Sequence, residues 1–392
     1  MILERKLTSR LKEMLQKFPI VTITGPRQSG KTTLLKEFFS DYSYYNLERL
    51  DLRELILTDP IGFLNNAGLK VILDEVQNVP DLFSYIQVIS DERGVNGQFI
   101  LSGSQSFLLN EKISQSLAGR VSINHLFPFD LTELPMNNKK MYYQHITEGF
   151  YPRIFQHSIN ASDFYPSYLQ TYIERDIRTL KSIENLNTFT RFLGLCAGRT
   201  AQTLNLTSLA NDTGVAVNTV KSWLSLLEAS FIIFLLQPYH NNFSKRLIKS
   251  PKLYFYDTGI VSSLLRITEP DVVRTYPLYG ALFENLVLSD LVKQFYHSGS
   301  IPPIYYWKES NGKEIDCIIE KSFNEIIALE IKGGETFGKD YLKNFNNLVD
   351  PSSPLEVRKY LIHPNAQKTK VNDVNILSWE DLPGVIKNHS WY

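Results

Sequence analysis

The sequence predicts an α/β fold that begins with a P-loop core on a parallel sheet and continues into a winged helix and a second α/β domain. Three observations predict this fold. A glycine-rich loop lies between an apolar strand and a helix near the N-terminus. Strands and helices alternate up to about residue 135, as they do around parallel sheets. Beyond residue 200, two helices separated by a glycine turn precede strands that carry alternating charges.

The loop over residues 25–32 reads Gly-Pro-Arg-Gln-Ser-Gly-Lys-Thr and fills every fixed position of the phosphate-binding pattern. The apolar run 20–24 predicts a buried strand before it, and residues 32–39 predict a helix after it. Backbone N–H groups of such a loop point at phosphates, and the helix dipole favours their charge. Lys31 would reach the β- and γ-phosphates, and the Thr32 hydroxyl would ligate Mg²⁺. The alternative is an ordinary glycine turn.

A second apolar strand, residues 71–73, is followed by Asp74 and Glu75 and is expected to lie beside the first strand. Asp74 would hold Mg²⁺ through water, and Glu75 would orient or deprotonate the attacking water. Since adjacent strand residues face opposite sides, both carboxylates can serve only if the strand ends there. The alternative is a solvated strand end. A third strand, residues 98–101, ends at Ser102, which either senses the γ-phosphate or is plain turn chemistry.

Composition and charge restrict the classes of function. The 392 residues carry a formal net charge of +0, which argues against a strongly basic nucleic-acid clamp but leaves a local basic face open. Cys196 and Cys317 lie far apart in apolar contexts, as buried thiols in a reducing cytosol would. No apolar run approaches the roughly 18 residues of a membrane span, and the first residues lack the apolar core of a signal peptide. We expect a cytoplasmic protein without membrane contact.

Four segments are expected along the chain. They are the P-loop core over residues 1–135, a helical lid or linker over 136–200, a winged helix over 201–261 and the last domain over 262–392. Within the second segment, one helix is expected to run from Tyr165 to Leu180. In the third segment, a polar-capped helix from residue 206 and an amphipathic helix over 218–227 flank a tight turn at Gly214.

The third segment also contains a candidate contact with nucleic acid. Apolar runs at residues 231–236 and 252–256 would form the wing. Lys245, Arg246 and Lys249 between them would touch phosphates. Because the whole chain is neutral, a winged helix used for domain packing or protein contact is an equally open interpretation.

The last domain carries charged residues at alternate positions of two candidate strands. Glu314 and Asp316 occupy one strand, and Glu330 and Lys332 occupy the next. A hairpin that turns around Phe323, with an odd-numbered loop, sets Asp316 opposite Glu330. Glu314 then lies opposite Lys332, and all four share one face. Two carboxylates with a lysine are suited to divalent-metal catalysis; the alternative is a cross-strand ion pair on a solvated face.

Motifs over nearly the whole chain carry a family resemblance. The chain resembles the AAA+ class of P-loop ATPases, and in particular a bacterial and archaeal family of uncharacterised ATPases with a C-terminal domain of unknown function. The resemblance implies ATP as ligand and Mg²⁺ as cofactor. Its marks are residues 25–33, 73–77, 101–104, 117–120, 256–259 and 280–285, with Glu314-Ile315-Asp316 and Glu330-Ile331-Lys332. The implied nucleotide contacts are Gly25, Pro26, Arg27, Gln28, Ser29, Gly30, Lys31, Thr32, Thr33, Asp74 and Ser102.

The resemblance also singles out arginines beyond the loop. Arg120 matches a family arginine, which implies an arginine finger that reaches the γ-phosphate of a neighbouring subunit. Such a finger implies a homo-oligomer. The alternative for Arg120 is an interdomain salt bridge. Arg175-Asp176 matches a further family motif to which we assign no role.

The C-terminal strands resemble the PD-(D/E)xK nuclease fold. The resemblance places Asp316, Glu330 and Lys332 at metal-binding and catalytic positions, and Glu284 on the preceding helix at the fourth acidic position. Cys317 stands where an apolar or aromatic residue is usual, which we interpret as a packing change. The implied function is an Mg²⁺-dependent ATPase that acts on nucleic acid, with metal-dependent nuclease activity in the last domain. The alternative is an ATP-switched DNA- or protein-binding regulator whose nuclease-like domain is inactive.

Overall fold

The computed structural model describes residues 3–104, 116–135, 140–173, 185–239, 250–309, 312–334, 338–345, 348 and 355–387. The chain divides into two units. The N-terminal unit comprises Met1–Phe129, Ala229–Ile232 and Lys293–Ile301, and the C-terminal unit comprises Asp130–Glu228, Ile233–Val292 and Pro302–Tyr392. Within the described stretches, no helix combines the length and the apolar character that crossing a membrane requires.

Strands and helices alternate in the N-terminal unit, which confirms the predicted α/β core with a parallel sheet. Its elements are α1 (Leu7–Lys17), β1 (Ile20–Thr24), α2 (Lys31–Phe38), β2 (Ser43–Asn46), α3 (Leu50–Thr58), α4 (Pro60–Asn66), β3 (Val71–Asp74), α5 (Leu82–Arg93), β4 (Phe99–Gly103) and β5 (Val121–His125). The described strands form one sheet in the order β2-β3-β4-β1-β5, and each neighbouring pair runs parallel.

The central strands β1, β3 and β4 are buried on both faces, as expected for parallel strands covered by helices. Successive strand residues point to opposite faces. Val21 and Ile72 pack on one face in a cluster with Leu7 of α1 and Leu34 of α2. Leu73, the neighbour of Ile72, packs on the other face in a cluster that includes residues of α5. The sheet is therefore held on both sides, and its carboxyl end presents the residues of interest.

The expectation that the strand ending at Asp74 lies beside the first strand was wrong. β4 lies between β1 and β3, because Leu101 pairs with Thr22 on one side and with Leu73 on the other. Chain order does not fix strand order, since a crossover connection can carry the chain past a neighbouring strand position. β4 also runs on to Gly103, so that Ser102 lies inside the strand rather than after it.

The C-terminal unit begins with helices and a small antiparallel sheet. Its first elements are α6 (Tyr142–Glu148), α7 (Pro152–His157), α8 (Ala161–Tyr172), α9 (Leu186–Ala197), β6 (Gln202–Thr203), α10 (Leu206–Thr213), α11 (Val217–Ala229), β7 (Ile233–Leu236) and β8 (Lys252–Phe255). The described strands pair in the order β6-β8-β7.

The two helices predicted around Gly214 are present. The Gly214 φ angle of 81° lies in the left-handed region, and its N–H donates to the Ala210 carbonyl and ends α10. With β7 and β8 as an antiparallel pair, these are the elements that the winged-helix prediction requires, and the assignment itself stays a prediction. The basic cluster Lys245, Arg246 and Lys249, the pair Arg175-Asp176 and the expected extension of α8 to residue 180 lie outside the described residues.

A second sheet fills the rest of the C-terminal unit. The elements that follow β8 along the chain are α12 (Thr258–Leu264), α13 (Pro270–Thr275), α14 (Tyr279–His297), β9 (Ile304–Lys308), β10 (Glu314–Ser322), β11 (Glu325–Ile331), β12 (Glu356–Ile362), β13 (Thr369–Val371), β14 (Val374–Leu377) and α15 (Leu382–Lys387). The described strands lie in the order β13-β14-β12-β11-β10-β9. β9, β10 and β11 are antiparallel, whereas β11, β12 and β14 are parallel.

The predicted register of the β10–β11 hairpin is confirmed, and the predicted loop was wrong. Cys317 pairs with Leu329, which sets Asp316 level with Glu330 as expected. The strands continue further than predicted, however, so that Ser322 pairs with Glu325 around a two-residue turn. A register shift between Glu320 and Ser322 absorbs the extra residue as a bulge.

Asn285 on α14 ties that helix to the small antiparallel sheet. Its side chain is fully buried. The Phe255 N–H of β8 donates to Asn285 Oδ1 at 2.8 Å, and Asn285 Nδ2 donates to the Phe255 carbonyl at 3.0 Å. The Thr200 hydroxyl also donates to Oδ1, at 2.7 Å. The Asn285 amide therefore satisfies both the N–H and the C=O of Phe255, which lies past the end of the neighbouring short strand β6.

We expect Asn285→Ala to lower the free energy of unfolding of the C-terminal unit by about 3 kcal/mol, because it leaves buried backbone groups of Phe255 without partners. Urea denaturation followed by tryptophan fluorescence measures the change. Asn218→Ala, at an exposed position of α11, is the matched control. A loss in Asn285→Ala no larger than in the control would contradict this role.

Candidate functional site

The phosphate-binding loop depends on glycine at two positions. Gly25 has a φ of 150°, and a Cβ there would lie 2.1 Å from the Leu126 carbonyl oxygen. Gly30 has a φ of 99° and immediately precedes α2. Gln28 adopts a left-handed φ of 60° between them. The chain therefore turns tightly from β1 into the N-terminus of α2, which is the geometry that exposes backbone N–H groups to an anion.

Arg5 holds this loop from a position that sequence analysis missed. Its guanidinium donates to the Ser29 carbonyl at 2.8 Å and to the Phe127 carbonyl at 2.6 Å, and it lies 4.7 Å from the centre of the Phe129 ring. The side chain is buried. The charged run Glu4-Arg5-Lys6 gives no signal that one member is buried, so the contact emerges only from the fold.

Lys31 folds back onto the loop. Its ammonium donates to the Gly25 and Pro26 carbonyls, each at 2.8 Å, and the side chain is buried. These two carbonyl oxygens accept hydrogen bonds from the buried ammonium and so offset part of the cost of burying it. Phosphate oxygens bind an ammonium more strongly than neutral carbonyls do. The position of Lys31 is therefore consistent with the predicted role in phosphate binding.

Asp74 accepts hydrogen bonds from three hydroxyl groups of the N-terminal unit. Thr32 donates to its Oδ2 at 2.7 Å, Tyr44 donates to the same oxygen at 2.6 Å, and Ser102 donates to Oδ1. Burial, together with the hydrogen bond to Asp74, raises the pKa of the Tyr44 hydroxyl, which therefore remains a donor. Ser102 thus contacts Asp74, and sensing of the γ-phosphate by Ser102 stays a prediction.

The oxygen atoms at this position are of the kinds that bind Mg²⁺. Hydroxyl and carboxylate oxygens are the ligands that Mg²⁺ takes in nucleotide sites. The Thr32 hydroxyl donates to the Asp74 carboxylate at 2.7 Å, so the hydroxyl would ligate the ion directly and the neighbouring carboxylate would reach it through a bound water. Thr32 and Asp74 would therefore hold the ion with a bound nucleotide.

Glu75 lies just beyond the end of β3, which the predicted roles of both Asp74 and Glu75 require. β3 ends at Asp74, and Glu75 has a left-handed φ of 56°. Its Oε2 accepts hydrogen bonds from Ser104, at 3.0 Å, and from Gln77. The expectation that the strand ends at this pair is confirmed. The backbone turn separates the two carboxylates, and the Ser104 hydroxyl fixes the direction of the second.

Arg120 lies at the other end of the sheet from the phosphate-binding loop. It immediately precedes β5, and its carbonyl accepts from the N–H of Ile20, the first residue of β1. β1 spans five residues, so about 16 Å of strand separates Arg120 from the start of the loop. Its guanidinium forms a two-point ion pair with Asp91, at 2.6 and 2.9 Å. A finger role therefore requires a second copy of the chain.

The predicted acidic residues of the C-terminal unit gather around two lysines. Lys332 Nζ lies 2.5 Å from Glu330 and 3.6 Å from Asp316. Asp316 Oδ2 also accepts from the Ile331 N–H at 2.7 Å, and Glu330 Oε1 accepts from Asn344 at 2.8 Å. Glu330 Oε2 is buried without a hydrogen-bond partner. Burial and the charge of Asp316 raise the pKa of Glu330 to about 8.

The second lysine, Lys252 of β8, was missed. It is 3% exposed and lies 3.1 Å from Glu284 Oε1, in contact with Glu314, and 3.9 Å from Asp316 Oδ1. Tyr254, two residues along β8, donates to the same Glu284 oxygen at 2.5 Å. The available sequence signal was a lysine at the start of a short strand of otherwise apolar and aromatic residues.

The carboxylates of Glu284, Asp316 and Glu330 do not form a compact three-ligand set. Two ligands of one Mg²⁺ are at most about 4.2 Å apart, twice the ion–oxygen distance. The oxygens of Glu284, Asp316 and Glu330, all of them described residues, do not come within 4.8 Å of one another as a set. A lysine ammonium lies among the oxygens instead. The three side chains therefore do not form one compact set of ligands, and the predicted metal roles of Glu284, Asp316 and Glu330 stay a prediction.

Three family models match successive stretches of the chain. Residues 17–135 match an AAA domain, residues 139–271 match a domain of unknown function (DUF8612), and residues 279–382 match a domain of unknown function (DUF4143). The first match and the loop geometry identify an AAA-like P-loop ATPase domain in the N-terminal unit. The nuclease-like character of the last domain stays a prediction.

Similar proteins extend the match along the chain. Uncharacterized protein Rv2008c of Mycobacterium tuberculosis is 29% identical over 328 residues, which cover 82% of this chain and 72% of the relative. Uncharacterized protein MJ1637 of Methanocaldococcus jannaschii is 22% identical, with 86% of this chain and 82% of the relative covered. The Walker-type ATPase PABY2304 of Pyrococcus abyssi shares 15% identity at a TM-score of 0.45, over 68% of this chain and 96% of that chain.

We expect Glu330→Gln to change how stability depends on pH. The raised pKa means that the folded chain binds this proton more tightly than the unfolded chain, where Glu titrates near about 4.3. The contribution of Glu330 is therefore complete below about pH 4 and is lost as the pH rises toward about 8. Relative to wild type, the variant should gain up to about 1.4 kcal/mol per pH unit in that window.

Urea denaturation at half-unit steps from pH 5 to 8 measures this difference. Glu356→Gln, at an exposed position of β12, is the control and should show no trend relative to wild type. A constant offset between Glu330→Gln and wild type across the range would show that Glu330 is ionised throughout.

Proposed function

We propose that this chain binds ATP with Mg²⁺, hydrolyses it, and uses the hydrolysis as a conformational switch in an action on nucleic acid. The observation that carries the ATPase proposal is the 2.7 Å hydrogen bond from the Thr32 hydroxyl to Asp74. It joins the helix after the phosphate-binding loop to the carboxylate at the end of β3. Both groups suited to Mg²⁺ are thereby held side by side within one unit.

Each residue of this site has a definite role in the proposal. Lys31 binds the β- and γ-phosphates, and Thr32 and Asp74 hold Mg²⁺, which when bound neutralises phosphate charge. Glu75 orients or deprotonates the attacking water. Ser102 keeps Asp74 in place through its hydrogen bond. The loop backbone supplies further N–H donors to the phosphates.

For the C-terminal unit, we infer ATP-switched binding of a DNA or protein partner rather than cleavage. The support is Lys252, whose ammonium lies among the carboxylates that a metal ion would need. Metal-dependent cleavage by a nuclease-like fold is the competing candidate, since Asp316, Glu330 and Lys332 do meet at one place. The two candidates share a fold and differ in chemistry.

DNA as the partner is supported by the helices around Gly214 and by the strands that follow them. Asn218, Lys221 and Ser225 are exposed on α11 and are suited to phosphate or base contacts. A finger role for Arg120 would make the active form a homo-oligomer. The free buried thiols of the chain support a reducing compartment, the cytoplasm.

We expect two substitutions to separate nucleotide binding from hydrolysis. Lys31→Ala removes a charge-assisted contact and should weaken ATP binding by about 10- to 100-fold. Glu75→Gln should leave ATP affinity within a few-fold of wild type and slow hydrolysis by about 100-fold or more. Fluorescent-ATP titration and phosphate release measure the two effects.

The controls are Lys17→Ala and Glu37→Gln, at exposed positions of the same unit, which should behave as wild type. If Lys31→Ala binds ATP with unchanged affinity, the proposed nucleotide site is wrong. If Glu75→Gln hydrolyses ATP at the wild-type rate, the site stands and the role of Glu75 is wrong.

We expect no cleavage of plasmid or single-stranded DNA with Mg²⁺ or Mn²⁺, with or without ATP, because a lysine neutralises the acidic cluster. The assay runs beside Asp316→Ala and Lys332→Ala. Cleavage that disappears in both variants would establish the nuclease candidate. ATP-dependent DNA retention on a filter that both variants preserve would support the switch.

A further inference from the structure

Lys252 brings a positive charge into the part of the C-terminal unit where sequence analysis expected a metal ion. Its side chain is 3% exposed and contacts Glu314. It also lies 3.1 Å from Glu284 Oε1 and 3.9 Å from Asp316 Oδ1. The ring centre of Tyr306 lies 5.7 Å from the same ammonium and offers a π face to it. Two of the three carboxylates, those of Glu284 and Glu314, lie within hydrogen-bonding distance of the ammonium.

The arrangement of oxygens suits an ammonium. An ammonium has three donors and donates hydrogen bonds to oxygens at about 2.7 to 3.1 Å. A Mg²⁺ ion draws its ligands to about 2.1 Å and so pulls them closer together. With the lysine in place, the oxygens of Glu284, Glu314 and Asp316, all of them described residues, do not lie within 4.8 Å of one another as a set. Their separation is what a larger, hydrogen-bonding cation in their midst produces.

The electrostatic balance favours a charged lysine. Burial opposes the charge of Lys252, but Glu284, Asp316 and Glu314 outweigh it and raise its pKa. Burial also raises the pKa of Glu284, with the charge of Asp316 acting in the same direction and Lys252 acting against it. Removal of one partner from a buried ion pair leaves an uncompensated charge, which is strongly destabilising. The cluster therefore needs a cation at this place.

We propose that Lys252 is a built-in cation, whose ammonium occupies the position among Glu284, Glu314 and Asp316 that a divalent metal ion would otherwise fill. This proposal rests on the inference that the C-terminal unit does not cleave nucleic acid, and it is independent of the ATPase proposal. Lys252 lies in the stretch matched to one domain of unknown function and the carboxylates lie in the stretch matched to the next. One segment of the unit thus supplies the counter-charge of another.

Substitution of Lys252 should convert this place into a metal site. In Lys252→Ala, we expect the melting temperature to fall by about 5 to 10 °C without metal. Millimolar Mn²⁺ should restore most of that loss in the variant and leave wild type unchanged, since a ligand that binds only the folded state stabilises it. Electron paramagnetic resonance should count one more bound Mn²⁺ per nucleotide-free chain in the variant than in wild type.

Two further variants isolate the position. Lys308→Ala removes the other lysine on Glu314, which lies 2.7 Å from it on the exposed side, and it should gain no Mn²⁺. Lys252→Ala/Asp316→Asn should lose the Mn²⁺ that Lys252→Ala gains. Should Lys252→Ala fold only when refolded with Mn²⁺, the proposal is supported in its strongest form.

The contrary outcomes are distinct. Wild type that binds Mn²⁺ as tightly as Lys252→Ala, with loss of that ion in Asp316→Asn, would show a metal site with an adjacent lysine and overturn the proposal. So would Lys252→Ala that gains no Mn²⁺, or that fails to fold both with and without it. None of these outcomes bears on ATP hydrolysis, whose failure would appear in wild type as absent phosphate release.

Discussion

The hydrogen-bonded carboxylate of Asp74 is the contact on which the N-terminal unit depends. Three hydroxyl donors converge on it, from Thr32 at the start of α2, Tyr44 of β2 and Ser102 of β4. A buried carboxylate is costly unless its oxygens are satisfied, so each donor constrains an element. Three elements, α2, β2 and β4, are thereby joined to the end of β3 through one carboxylate.

The C-terminal unit also contains buried carboxylates, but different groups satisfy them. Two ammonium groups, those of Lys252 and Lys332, lie among its carboxylates and pair with Glu284 and Asp316. Neutral donors leave the charge of Asp74 available to a divalent ion beside a nucleotide. The lysine ammonium groups compensate the negative charge of Asp316 and its neighbours. The same residue type thus has hydroxyl partners in one unit and lysine partners in the other.

Local signals predicted the elements correctly where the chemistry is local. The strand–loop–helix around Lys31, the end of β3 at Glu75 and the level of Asp316 with Glu330 all follow from neighbouring residues. The interposed strand β4 and the contacts of Arg5 and Lys252 could not be predicted, because they join residues that are distant in sequence. An isolated lysine in an apolar strand indicates a buried side chain, but only the three-dimensional structure shows which residues that side chain contacts.

The two cysteines make it possible to measure how often parts of the C-terminal unit open. Cys196 of α9 and Cys317 of β10 are free and fully buried, and burial raises the pKa of both thiols. The thiolate is the reactive form, so an alkylating reagent modifies them only when the surrounding structure opens. Cys317 adjoins Asp316. Its rate of alkylation therefore measures how often the strand beneath the acidic cluster separates from its neighbours, and comparison with Cys196 distinguishes a local opening from loss of the whole unit.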